Sequence, residues 1–223
     1  MPSDQPPCQA LAASGGMIMS NARQMNGERI AGIAGAMTFL CVACLQMAPA
    51  AAHWDCQSTA FFLFHGEVAF FLLIRTAALS MRADARTWLI CGVSLCDTAL
   101  VDFSAPTSSS ADTLANTMTL AGCFICIFSV ACLGRGFGIL PAWRRLADRG
   151  PYRVIRHPIY AGYVLMDLAM LCSHPTWNNW VVISCDIGLL LARIQLEEQI
   201  CLQAEGYRRY ARRVRYRLCP GIY

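Results

Sequence analysis

The chain has 223 residues, of which 56% are hydrophobic and 14% charged, with a formal net charge of +4. That length can bury a core, but so few charges leave too little polar surface for a soluble domain, so a membrane setting is the default. The positive balance does not indicate nucleic acid, because the arginines flank apolar runs and form no stripe interleaved with aromatics.

In chain order, Met1–Gly27 holds Pro, Ser and Ala but no basic stretch followed by a cleavage site. It reads as a loose tail, and a cleaved signal peptide is not expected. Apolar runs follow at about Ile30–Ala52, Thr59–Leu79, Trp88–Val101, Leu114–Leu133, Ile159–Leu171 and Trp177–Leu196. About 20 apolar residues cross the hydrocarbon as a helix. The third and fifth runs are short and need tilt or their flanks to reach across. The expectation is an all-α polytopic bundle of about five to six transmembrane helices.

Arginines mark the cytoplasmic side of short loops. Arg23 and Arg29 precede the first run, Arg82 and Arg86 follow the second, Arg135 to Arg156 follow the fourth, and Arg208 to Arg217 follow the last. The loops near His53–Ser58, Asp102–Asp112 and His174–Asn179 hold no Arg, and the chain has no Lys. Both termini are therefore expected in the cytoplasm, in a multi-pass protein of a bacterial inner membrane.

The 13 cysteines are odd in number and scattered. Cys41/Cys44 and Cys123/Cys126 are C-x-x-C pairs inside apolar runs, with no second pair or nearby His to complete a tetrahedral site. They read as small hydrophobes, and no metal is expected. His65, Glu67, Asp97, Asp167, Asp186 and Arg193 fall in or near the runs, where an ionisable group is costly unless paired or lining a cavity. Each is equally readable as an interhelical hydrogen-bonding group or as a functional one.

Between Gly134 and Pro158 the chain reads GRGFGILPAWRRLADRGPYRVIRHP, with six arginines and two prolines ahead of the RHP. This is too broken for one helix and too basic for the bilayer. Free backbone N–H groups and guanidiniums of this kind suit an anionic or carboxylate-bearing ligand. Gly134 to Gly138 is no dinucleotide fingerprint, since no strand precedes it and the glycine spacing is wrong. Pro158 disfavours αR geometry at His157 and suits a first helical turn, leaving the imidazole at the mouth of the fifth run. Tyr160 and Tyr163, one turn apart, bring aromatic faces there.

After the sixth run comes RIQLEEQICLQAEGYRRYARRVRYRLCPGIY. Arg193 and Glu197 make an i,i+4 pair, which leaves Glu198 unexplained. Tyr207, Tyr210 and Val214 recur at helical spacing among arginines, which as a bare pattern reads as an interfacial helix anchored on the membrane.

Taken together, GPYRVIRHPIYAGY and, about 35 residues on, EEQICLQAEGYRRYARRVRYRLCPGIY resemble the isoprenylcysteine carboxyl methyltransferase family and its relatives among integral-membrane phospholipid methyltransferases. The resemblance spans Gly134–Tyr223 and rests on the G-P-Y-R, the R-H-P-x-Y, the paired glutamates, Tyr207/Tyr210 and the closing Arg-Leu-x-Pro-Gly. It divides the chain into a tail (1–27), N-terminal membrane helices (28–133) and a catalytic region (134–223) whose last two spans build a cytoplasmic pocket for S-adenosylmethionine. By the same resemblance Tyr152, His157, Pro158 and Tyr160 line the cofactor site, and Glu198, with Glu197, meets the cofactor's ammonium or sulfonium end. Arg213 orients the acceptor carboxylate, and the acceptor arrives laterally from membrane lipid.

The implied function is methylation of a lipophilic acceptor, in the first instance carboxyl O-methylation of an isoprenylcysteine-like molecule. A carboxylate nucleophile needs no general base, only a guanidinium to fix it. An amine would need proton removal by Glu198 or His157. Gly136 and Cys219 stand where bacterial-type relatives commonly carry a serine and an aliphatic residue, and the last segment is richer in Arg than in prenylcysteine enzymes. A phospholipid or a small lipophilic amine or thiol therefore stays open as acceptor. A non-enzymatic membrane protein or transporter is the other alternative, against which stands the absence of a visible inverted repeat.

Overall fold

The computed structural model describes residues 29–30, 32–41, 43–44, 56–81, 84–93, 100–102 and 109–223. The N-terminal tail, Asp97 and most of the loops at 53–58 and 102–112 lie outside the described residues or their described side chains. The helices are α1 (Gly32–Cys41), α2 (Cys56–Ile74), α3 (Ala85–Val93), α4 (Ser109–Leu133), α5 (Pro158–Ser173), α6 (Trp177–Cys201) and α7 (Glu205–Arg213). One antiparallel ladder of two residues per strand pairs β1 (Ser80–Met81) with β2 (Ala142–Trp143), in the register Ser80 to Trp143 and Met81 to Ala142.

Two stretches, Asp112–Gly136 and Trp177–Cys201, are long and apolar enough to cross a membrane, and α1, the Phe62–Ile74 part of α2, and α5 are shorter apolar helices. Only 33% and 39% of the two long windows is buried within the protein. Their outward faces carry residues such as Phe124 and Trp177, 69% and 83% exposed. A soluble core helix would hide that surface, whereas lipid accepts it.

The helix limits follow from local chemistry. Thr176 caps α6 by accepting from the Asn179 N–H at 3.2 Å. Pro158 sits at the first position of α5, and His157 before it has φ −126° and ψ 61°, outside the αR region as the proline requires. Gly134 ends α4 with φ +54°, a conformation that favours glycine.

α4 and α5 pack along each other through small residues. A Cβ on Gly162 would lie 2.8 Å from the Gly122 carbonyl oxygen and 2.4 Å from Cys126 Sγ, so both glycines permit the close approach that joins helices in lipid. Cys126 donates to the Ile159 carbonyl at 3.4 Å, and Cys123 Sγ lies 3.6 Å from Met166 Sδ. These two cysteines are core filling, packed with Phe64, Val68 and Leu72 of α2 on the other side of Cys126.

The ends of the helices alternate. Thr76, just past α2, donates to the Arg135 carbonyl at 2.8 Å, and Arg135 Nε returns a bond to Ile74 O at 2.9 Å, so α2 and α4 finish at the same end. α5 starts there and α6 ends there. At the opposite end buried Asn179 donates to the carbonyls of Asp102 (2.7 Å) and His174 (2.8 Å) and accepts from the Asp102 N–H (2.7 Å). The chain thus passes from Asp84 at one end to Asp102 at the other.

At the end where α6 finishes, α7 turns Tyr207, Tyr210 and Val214 inward onto Trp143, Leu146 and Cys201. The pattern that suggests a membrane anchor is therefore an inner packing face. The β1–β2 ladder and a bond from Leu79 N–H to Trp143 O (2.8 Å) hold the 134–157 loop under it.

Candidate active site

Two helical stripes face each other across one cavity. On α5 and its mouth the stripe is His157, Tyr160, Tyr163 and Asp167; on α6 it is Asp186, Leu190, Arg193, Glu197 and Cys201. Spacings of three and four residues keep each set on one face. The 134–157 loop closes the upper wall with Trp143, Arg144 and Arg145, α7 adds Tyr207 and Tyr210, and α1 and α2 close the lower wall with Thr38, Phe39, Phe64 and His65. The cavity has a volume of about 300 Å³.

The adjacent glutamates point to opposite sides. Glu197 faces the cavity, where it accepts from the Tyr160 hydroxyl and lies 3.6 Å from His157 Nδ1. Glu198 is turned away and buried at 3% exposure. Its carboxylate accepts from Arg156 Nη1 (2.5 Å), Tyr207 Oη (2.7 Å) and Arg217 Nε (3.5 Å), and meets His157 Nε2 at 3.0 Å. One carboxylate therefore ties together the RHP loop, α6, α7 and the segment after α7. That segment also accepts from the backbone of the loop, Arg156 N–H to Tyr216 O (3.0 Å) and His157 N–H to Arg217 O (2.8 Å). These bonds fix the chain entering α5, whose N-cap His157 makes no side-chain cap bond.

His157 is held between two carboxylates. Burial opposes charging the ring, but its hydrogen bonds and charge interactions with Glu197 and Glu198 outweigh burial and raise it above its ordinary value of 6.5. Tyr152, under the loop, is pushed up chiefly by burial, so its hydroxyl stays protonated. Tyr210 donates to the Tyr152 carbonyl at 2.7 Å, fixing the turn at Gly150, whose φ is +56°. A Cβ on Gly150 would sit 2.6 Å from Cys132 Sγ. The G-P-Y-R start is thus needed both for its left-handed backbone and for clearance against α4.

Of the residues singled out in the sequence, Tyr152, His157, Tyr160 and Glu197 line the cavity, while Pro158, Glu198 and Arg213 do not. Pro158 is buried behind the mouth. Arg213 is exposed on the far side of α7, 3.5 Å from an exposed Asp148. The arginines that line the cavity are instead Arg144, Arg145, Arg156 and Arg193. Arg193, 8% exposed, donates to Ile139 O at 3.2 Å and lies over the Tyr160 ring at 5.3 Å from its centroid. Its one sequence signal is an arginine in the last turns of an apolar helix, one turn before Glu197. No local pattern marks Arg144, which reaches the site by donating to Thr76 O at 3.1 Å across a sequence gap of 68 residues.

The stripes, the split glutamates and the RHP mouth lie in or beside one contiguous segment of sequence, and that segment has known counterparts. Residues 119–203 match the isoprenylcysteine carboxyl methyltransferase (ICMT) family. The resemblance read from the RHP loop and the paired glutamates is borne out by this match, which runs from the middle of α4 to just past α6. The ICMT family is one of methyltransferases, and the matched segment carries much of the cavity lining. No curated protein matches the chain. Helices α1 to α3 and the segment from Ala204 on lie outside the match, although they supply Phe39, His65, Tyr207 and Tyr210 to the cavity.

Proposed function

We propose that the protein is an S-adenosylmethionine-dependent methyltransferase that modifies a lipophilic acceptor at the cytoplasmic face of a bacterial inner membrane. In this reading α1 to α6 make six crossings, with both termini cytoplasmic and residues 134–223 forming the catalytic region. The observation that carries the proposal is the cavity itself, which joins a guanidinium-, tyrosine- and glutamate-lined mouth to an aromatic lower wall without a break.

The donor set at the mouth fits the cofactor. S-adenosylmethionine carries an ammonium, a carboxylate, a sulfonium and a purine. Glu197 offers the buried anion for its cationic end, Arg144 and Arg145 offer guanidiniums for its carboxylate, and the edge-to-face pair Trp143 and Tyr207 offers aromatic surface for the purine. When bound, it supplies an electrophilic methyl group on a positively charged sulfur.

The rest is done by the chain's own groups. Tyr160 and His157 orient Glu197 and keep its charge in place. Tyr207, Tyr210 and Trp143 form a lid of aromatic surface that excludes water from the mouth. Arg193, rigid over Tyr160 and at the border between polar and apolar walls, fixes an acceptor carboxylate in two-pronged geometry. A carboxylate held this way attacks without a base, so carboxyl O-methylation of an isoprenylcysteine-like molecule is the chemistry the guanidinium favours. Arg213, directed at Asp148, has no part in that step.

Two measurements test the reading. Calorimetric titration of the detergent-purified protein with S-adenosylhomocysteine is expected to give saturable binding that His157→Ala weakens. Membranes incubated with methyl-labelled S-adenosylmethionine are expected to release volatile methanol after alkali. Absence of S-adenosylhomocysteine binding would refute the enzyme, and alkali-stable label would refute the carboxyl acceptor while keeping the methyltransferase.

A further inference from the structure

At the end of the bundle where α6 finishes, the stretches 134–157 and 202–223 each carry six arginines and one acid. The acids are already engaged. Asp148 lies 3.5 Å from Arg213 and Glu205 2.6 Å from Arg208, while Glu198 of α6 holds Arg156 and Arg217. Arg153 and Arg215 are exposed and enter no ion pair among the described residues. The fold sets them in neighbouring segments: Arg156 Nη2 donates to Arg215 O at 3.2 Å, and the N–H groups of Arg156 and His157 donate to Tyr216 O and Arg217 O. Each of the two arginines has an exposed apolar or aromatic neighbour in sequence, Val154 and Tyr216. The segments run beside His157, directly ahead of the first residue of α5, which is the level where that helix enters the hydrocarbon.

Past Arg217 the chain turns along the bundle. Leu218 and Tyr223 pack on Tyr160 of α5 and on Leu190 and Ile194 of α6, and the Arg217 guanidinium lies over the Tyr223 ring at 5.1 Å from its centroid. Ile194 and Leu190 are about 10 and 16 Å from the end of α6, so this turn lies on the hydrocarbon side of the arginines. It closes on itself. The N–H groups of Arg217, Leu218 and Cys219 donate to Tyr223 O at 2.9, 2.9 and 3.2 Å, and those of Ile222 and Tyr223 donate to Cys219 O at 3.2 and 3.1 Å. Pro220 has no N–H to satisfy, and Gly221 takes the left-handed conformation at φ +86°. A non-helical segment at the edge of the hydrocarbon needs its polar backbone satisfied in this way. Ile222 is its outward side chain, 84% exposed and suited to acyl chains.

We propose that this surface binds an anionic phospholipid of the surrounding leaflet, with Arg153 and Arg215 at the phosphate and Ile222 along the acyl chains. Guanidiniums match phosphate oxygens in charge and in shape, and anionic lipids draw arginines that lie at the headgroup level. An acidic protein segment would answer the arginines and leave Ile222 without an apolar partner; a phospholipid answers both. Lipid held here braces the same segment that Arg217 ties to Glu198. The inference rests on the membrane setting of the bundle and is independent of methyl transfer.

The full-length protein in maltoside detergent is titrated with dioctanoyl phosphatidylglycerol and with dioctanoyl phosphatidylcholine, bound lipid being counted by native mass spectrometry. Phosphatidylglycerol is expected to bind about tenfold or more tighter, the effect of two arginines near an anionic headgroup. Arg153→Gln with Arg215→Gln should remove that preference and leave phosphatidylcholine within about twofold, an unchanged melting temperature without lipid serving as the check of folding. Arg209→Gln with Arg212→Gln takes the same charge from the exposed side of α7 and should shift either lipid by no more than about threefold. Ile222→Ser should weaken both lipids alike. Equal binding of the two lipids, a preference that survives the Arg153 and Arg215 changes, an equal loss from the α7 pair, or an Ile222→Ser variant that binds like the parent would overturn the site. Competition by glycerol 3-phosphate at the lipid's own concentration would make it a free-phosphate site and overturn the lipid as occupant. Transfer of labelled methyl, followed in parallel, decides the methyltransferase reading and moves none of these outcomes.

Discussion

Glu198 is the residue whose removal most sharply separates support from chemistry. Replacing it with Ala takes an acceptor from four groups at once: the Arg156 and Arg217 guanidiniums, the His157 ring and the Tyr207 hydroxyl. Arg217, with its side chain 37% exposed, regains water and contributes little. Arg156, 9% exposed, cannot, and breaking a buried ion pair from one side costs about 3–5 kcal/mol. Tyr207 left without an acceptor adds about 1–3 kcal/mol, partly relieved by water entering where the carboxylate was. A loss of about 4 kcal/mol is the central expectation, with about half of that for Glu198→Gln, which keeps the shape but places an amide donor against other donors. Thermal unfolding in detergent measures the loss. Limited proteolysis of residues 215–223 adds a local readout, because Glu198 anchors that segment through Arg217. A change under about 0.5 kcal/mol in Glu198→Ala, the range of ordinary surface substitutions, would refute the clasp. A Gln variant of full stability that cannot bind S-adenosylhomocysteine would do the same and return Glu198 to the cofactor.

At the opposite end, Asn179→Ala removes a side chain that makes three hydrogen bonds to Asp102 and His174, and a loss of about 2–4 kcal/mol is expected in the same unfolding assay. The raised His157 gives stability that is complete below its ordinary value of 6.5 and is lost as pH climbs through the higher folded-state value, so the melting temperature should fall above neutrality and His157→Gln should flatten that slope. Arg193→Ala should reduce transfer to a carboxylate acceptor at least a hundredfold, since about 3 kcal/mol of charge-assisted bonding is lost, while Arg213→Ala should stay within about threefold of the parent. The reverse order would reinstate Arg213 as the acceptor's partner. Gly162→Leu, which cannot fit against Gly122 and Cys126, should abolish the folded protein as judged by size-exclusion profile.

Composition and the spacing of arginines are enough to read an apolar helical chain, because hydrocarbon forces every backbone group into a helix and helix period needs no partner to be visible. The broken loop, the αR-forbidden His157 and the match of its surroundings to the ICMT family were legible for the same reason, since Pro158 acts on its neighbour within one bond. The inward turn of Tyr207, Tyr210 and Val214 was not, because a period of three to four residues says that a face is apolar and not whether lipid or protein covers it. Nor can two adjacent glutamates in sequence reveal that one faces a cavity and the other a clasp: neighbours on a helix diverge by about 100°, and only the packing of α7 and the RHP loop decides which is which. The family resemblance gave the acceptor to Arg213 and left Arg193 as the i,i+4 partner of Glu197, whereas the fold turns Arg213 to Asp148 and sets Arg193 over Tyr160. The lower cavity wall is the same case on a larger scale. His65, Asp167 and Asp186 lie on three helices separated by up to 121 residues, and only the packing of the bundle makes them line one cavity.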